Sequence, residues 1–93
     1  VILNGSRKLE DCFDGSSVVL YSFDGSWSRE SIMSLKGLGE LSYYPDFPRP
    51  FFRLVCRNGL QVKGVEGERQ CRVIFPGDGR EVIQKQFEDF FRE

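Results

Sequence analysis

Between Phe51 and Phe75 apolar side chains recur at every second position: Phe52, Leu54 and Cys56, then Leu60 and Val62, then Cys71, Val73 and Phe75. A period of two is the signature of strands with one buried face. Two glycine-bearing breaks, Arg57-Asn58-Gly59 and Gly67-Glu68, divide the stretch into a three-stranded meander. Loop length sets the register, and a slip of one residue turns every side chain to the other face. A two-residue turn at Asn58-Gly59 would set Cys56 against Gln61 and Leu54 against Lys63, mixing the faces. A three-residue loop with Gly59 in the left-handed conformation pairs Cys56 with Leu60, Leu54 with Val62 and Phe52 with Gly64 instead. A type II′ turn at Gly67-Glu68 then sets Gly64 against Cys71, Val62 against Val73 and Leu60 against Phe75. One face becomes wholly apolar. The other carries a row of three cations, Arg53, Lys63 and Arg72.

The remaining chain reads as shorter pieces. Val18 to Phe23 is a β-rich run, and residues 1–16 before it predict an irregular segment. From Ser26 a hydroxyl side chain can cap a helix whose Ile32, Leu35 and Leu38 follow three- and four-residue spacing, with Gly37 and Gly39 ending it. Leu41 to Tyr44 predicts a further strand, and Pro45, Pro48 and Pro50 then break regular structure. Asp78 precedes Glu81 by three residues, a capping-box spacing. Behind it Val82, Ile83, Phe87, Phe90 and Phe91 predict a C-terminal helix over residues 79–92 with one apolar stripe. Phe-Asp-Gly-Ser occurs at 13–16 and again at 23–26, which turn chemistry explains without a structural repeat.

These elements predict an α+β domain over residues 1–93, a small ferredoxin-like two-layer sandwich in the order βαββββα with both helices on the apolar face. The competing architecture is a pleckstrin-homology-like small barrel, in which residues 28–38 form a strand and only the terminal helix is helical.

Composition sets limits on function. Ninety-three residues suit one core, and nine Phe, three Tyr and one Trp supply much of the apolar area that offsets chain entropy. A net charge of −1 gives no global attraction to polyanions. Residues 49–80, however, carry seven basic and three acidic side chains, so the cation row lies in a locally basic stretch. No apolar run approaches the roughly 20 residues of a membrane-spanning helix. Cys12, Cys56 and Cys71 form no CxxC pair and the chain has no His, so no zinc site, other metal site or cofactor is expected. Sparse, odd-numbered cysteines suit reduced thiols and a cytoplasmic location. Cys56 and Cys71 are expected in the core, on strands too far apart for a disulfide.

Without His the chain lacks the usual partner of a Ser or Cys nucleophile, and no catalytic residue is assigned. The carboxylate pairs Glu66/Glu68 and Glu88/Asp89 fall at a turn and a helix end and read as solvated charges. Gly37-Leu38-Gly39 follows a helix and reads as its stop, not as a phosphate cradle. Pro76-Gly77-Asp78-Gly79 precedes a helix, where Asp78 as cap takes the place an anion would need.

Two constellations remain. Like charges side by side on a sheet cost up to about 1 kcal/mol, so the Arg53, Lys63 and Arg72 row requires an answer. Glu10, Asp11 or Asp14 folds over it, the long side chains splay into water, or an anionic partner binds. Tyr43, Tyr44, Phe47 and Phe51 interleave with Arg49 and Arg53, a mixture suited to base stacking with phosphate neutralisation, or to closing the end of the core. The expected function is a non-catalytic protein-interaction or self-association domain, with a homodimer among its partners. Binding of nucleic acid or another polyanion through the basic face of the meander is the alternative.

Overall fold

A computed structural model describes residues 2–91. Its elements are β1 (Leu3–Asp11), β2 (Ser17–Phe23), α1 (Arg29–Met33) continued by a 3-10 turn (Ser34–Gly37), β3 (Glu40–Tyr44), β4 (Phe51–Val55), β5 (Gln61–Val65), β6 (Gln70–Phe75) and α2 (Arg80–Phe90). The strands form one antiparallel sheet in the order β1-β2-β6-β5-β4-β3, open at both edges. From β2 onward the chain follows the predicted βαββββα order. The helices lie on one face, so the molecule is a two-layer sandwich of ferredoxin-like plan and not a closed barrel. Residues 28–38 are accordingly helical and not a strand.

The first segment departs from expectation. Residues 3–11, read as irregular, form the edge strand β1, with register shifts between Leu3 and Gly5 and between Lys8 and Glu10. Almost all of its side chains are exposed, so it lacks the alternation that marks a strand. Its extended state comes from pairing with β2. The connecting hairpin uses Phe13-Asp14-Gly15, closed by Cys12 N–H to the Ser16 carbonyl at 2.8 Å and Gly15 N–H to the Cys12 carbonyl at 3.1 Å. Gly15 takes a φ of +89°, and Asp14 accepts from the Ser16 amide and hydroxyl. The first Phe-Asp-Gly-Ser is therefore a turn by its chemistry.

The meander register is the one that packing demanded. Leu54 pairs with Val62, Phe52 with Gly64, Val62 with Val73 and Gly64 with Cys71. Cys56 N–H donates to the Leu60 carbonyl at 2.9 Å across the Arg57-Asn58-Gly59 loop, and Gly59 has a φ of +95°. At the second turn the hydrogen bond runs from Glu68 N–H to the Val65 carbonyl, so Gly67, at φ +90°, is the second of the two central residues of the turn and not the first. The register is unaffected.

The core lies between the inner sheet face and the helices. Val19, Tyr21 and Phe23 of β2, Phe52 and Leu54 of β4, Val62 of β5 and Cys71, Val73 and Phe75 of β6 are all buried. Trp27 seals one end, its ring against Phe23, Phe52 and Phe91. Its backbone is tied to the β5–β6 turn by Trp27 N–H to the Glu68 carbonyl and Gly67 N–H to the Trp27 carbonyl, both 2.8 Å. Ser28, not Ser26, caps α1: its hydroxyl accepts from the Ser31 amide, and the Ser31 hydroxyl accepts from the Ser28 amide. The capping box expected at Asp78 does not form, because Gly79, in the left-handed conformation, is the N-cap of α2 and no side chain caps it. Ile83, Phe87 and Phe91 are buried at i, i+4 and i+8, whereas Val82 and Phe90 fall outside that stripe and are exposed. Arg92, the predicted end of the helix, lies outside the described residues. No helix among the described residues is long and apolar enough to cross a membrane.

Candidate functional site on the open sheet face

With both helices on the inner face, the outer face of the sheet is left open to solvent, as one face of an antiparallel sheet can be. Its rows follow from the pairings. The central row runs Arg7, Leu20, Arg72, Lys63, Arg53, Ser42 across all six strands. The predicted neighbours Arg53, Lys63 and Arg72 stand side by side and exposed, and Arg7 extends the row from β1. Arg7 was not legible in the sequence, because no periodicity announces β1. At a strand spacing of about 4.8 Å the row from Arg7 to Arg53 spans roughly 19 Å.

None of the ion pairs among the described residues involves this row: they are Lys8–Asp11, Arg49–Glu68 and Lys85–Asp89. The acidic first segment does not fold over the face. Asp11 is held by Lys8, Asp14 by Ser16, and Glu10 stands at the β1 edge beside Val18, one row away. Glu40 ends that same row at the opposite edge, through Val55, Gln61 and Ile74. Carboxylates thus flank the cations without covering them. A shallow open depression of about 610 Å3 lies over the meander, bordered by Leu20, Arg53, Lys63, Val65, Gln70 and Arg72.

The other flanking row ends in aromatic side chains, where Phe51 pairs with Val65 on one side and Tyr44 on the other. Tyr44 and Phe51 stack with ring centroids 4.7 Å apart, and Phe47 from the proline-rich loop closes on Phe51 at 5.1 Å. Tyr44 is 41% exposed and Phe47 53% exposed. Arg53 follows Phe51 by two residues on the same face, about 7 Å along the strand. Of the four aromatic candidates, Tyr43 does not join this cluster. It pairs with Phe52 and turns to the inner face, where its hydroxyl donates to Glu66; that bond raises its pKa. Arg49 is held at the rim by Glu68 at 2.8 Å.

Among the described residues no cluster of three His, Cys, Asp or Glu is placed to hold a metal ion. Cys71 is buried in β6 and Cys56 just beyond β4, and burial pushes both thiols above their ordinary range. Comparison with protein families, with curated proteins and with solved structures returns no match.

Proposed function

We propose that this is a non-catalytic binding module that takes a single-stranded nucleic acid on its open sheet face. The observation carrying this reading is that Arg53, Lys63 and Arg72 stand uncovered by any carboxylate of the described residues, beside the exposed Tyr44 and Phe47 and the half-buried Phe51. Phosphates then supply the charge that the row lacks, and bases stack on the aromatic end. Stacking on such side chains is worth about 1–3 kcal/mol per base, and the flat outer face admits splayed bases that a duplex does not offer. The overall charge of −1 confines attraction to this face, so binding is expected to be modest and strongly dependent on salt.

The test is anisotropy titration of a labelled single-stranded oligonucleotide over a range of salt. Three phosphate contacts predict a log–log slope of about −2. Arg53→Ala, Lys63→Ala and Arg72→Ala each weaken binding several-fold and flatten the slope by about 0.7. Phe47→Ala weakens binding with the slope unchanged. Absence of binding at low salt, or affinity unmoved in Arg53→Ala and Arg72→Ala, overturns the reading. Leu20, Val65 and Ile74 beside the cations favour a protein partner as the second reading, and salt-insensitive binding distinguishes it.

A further inference from the structure

The two edges of the sheet are built differently. β1 is blunted by two register shifts and by the exposed charges of Arg7, Lys8, Glu10 and Asp11, the devices that stop an edge strand from recruiting another strand. β3 has no register shift, and its one charge is Glu40 at its first residue. It pairs with β4 without a shift from Glu40 to Tyr44 and contains no Lys, Arg or Pro. Among the described residues its backbone makes no hydrogen bond to anything outside the sheet.

We propose that β3 pairs antiparallel with β3 of a second copy of this chain, on a two-fold axis through Ser42, joining two six-stranded sheets into one. This register pairs all five residues and keeps the faces in phase. On the inner face Leu41 meets Tyr43 of the second copy. Both already pack at the margin of their own core, so the apolar layer continues across the axis. On the outer face Glu40 meets Tyr44 of the second copy, whose phenol can donate to the carboxylate, with Arg53 of that copy lying diagonally beyond. The two Glu40 carboxylates are thereby held apart by nearly the full length of the strand.

Ser42 suits the axis because it ends the cation row. It sets the two Arg53 residues three strand spacings apart, about 14 Å, beyond the screening length of about 8 Å at physiological salt. Face-to-face association through the outer sheet would instead press one cation row toward the other. Each copy uses its unguarded edge once and leaves only the blunted β1 edges outside, so assembly closes at two.

Sedimentation velocity from micromolar to millimolar protein tests this. The mass is expected to rise from 10.7 kDa toward twice that value and no further, with little dependence on salt. Ser42→Lys, which puts like charges on the axis, is expected to remain monomeric, while Ser6→Lys on the β1 edge leaves dimerisation unchanged. In the unmodified protein, amide exchange over residues 40–44 slows as concentration rises and that of β1 does not, a readout that holds even if Ser42→Lys fails to fold. A monomer at every concentration, a dimer indifferent to Ser42→Lys, open-ended growth, or exchange over residues 40–44 that ignores concentration overturns the proposal.

Discussion

Tyr21 carries more than its ring into the structure. The side chain is buried against Phe75 and Phe87, yet its hydroxyl reaches the side of α2 and donates to Glu88 Oε2 at 2.8 Å, with Gln84 Nε2 at 3.4 Å. Burial first, and then the bond to Glu88, hold the phenol well above its ordinary value near 10. The folded state therefore keeps a proton that the unfolded chain releases. This contribution to stability is complete below about pH 10 and is lost as pH rises above it. The pKa values of Tyr43 and the two buried thiols are shifted the same way. Tyr21→Phe is expected to cost about 1 kcal/mol at neutral pH, the usual net worth of such a bond. The variant should then lose less stability than the parent between neutral pH and pH 11, which urea unfolding at both values measures. An equal loss in both proteins would remove Tyr21 from the alkaline transition.

At the scale of elements, the meander depends on one position without a side chain. A Cβ on Gly64 would stand 2.5 Å from Cζ and 2.7 Å from Cε1 of Phe52, whose ring is pinned against Trp27 at 4.9 Å. The backbone at Gly64 is ordinary, so Ala there would gain chain entropy worth about 0.4–1 kcal/mol. Overpacking a buried ring costs about 1–3 kcal/mol and decides the sign. Gly64→Ala is thus expected to destabilise. Gly37→Ala, where nothing lies within 4 Å and φ is not positive, is expected to be neutral or mildly stabilising. Urea denaturation of the pair checks both. The register that places Gly64 opposite Phe52 was legible from alternation, since only one loop length gathers the apolar residues on one face. The caps were not. Asp78 has the residue type and spacing for a capping box, but the left-handed Gly79 between it and the helix turns the chain so that no side chain caps α2. The Gly67 turn shows the same limit: a sequence signals positive φ, while the closing hydrogen bond depends on Trp27 holding the turn from outside.

For the whole molecule, the sheet order decides which groups respond only to global opening. Cys71 lies in β6, flanked by β2 and β5, while Cys12 borders the turn after β1 and is partly exposed. One thiol per chain, Cys12, is expected to react with a disulfide reagent at the native rate. Cys71 should react only as fast as the sheet unfolds, with a rate that rises with denaturant in step with unfolding. Fast labelling of Cys71 in the folded protein would contradict a cooperative sheet. The candidate face was likewise only partly visible beforehand. Arg53, Lys63 and Arg72 were placed in line by local hairpins, whose registers are set within a few residues of the turns. Alternation and turn chemistry, being local properties, were enough to set that row and the apolar face beneath it, whereas residues 28–38 could be read as helix or strand and became helical only against the sheet. Long-range packing alone accounts for the existence of β1, for Arg7 joining the row, for Tyr43 leaving the aromatic cluster and for the acidic first segment leaving the cations open. One cause is common to all four. Each depends on an edge or face being claimed by a distant segment, and pairing energy between distant segments leaves no periodic trace in the chain that supplies them.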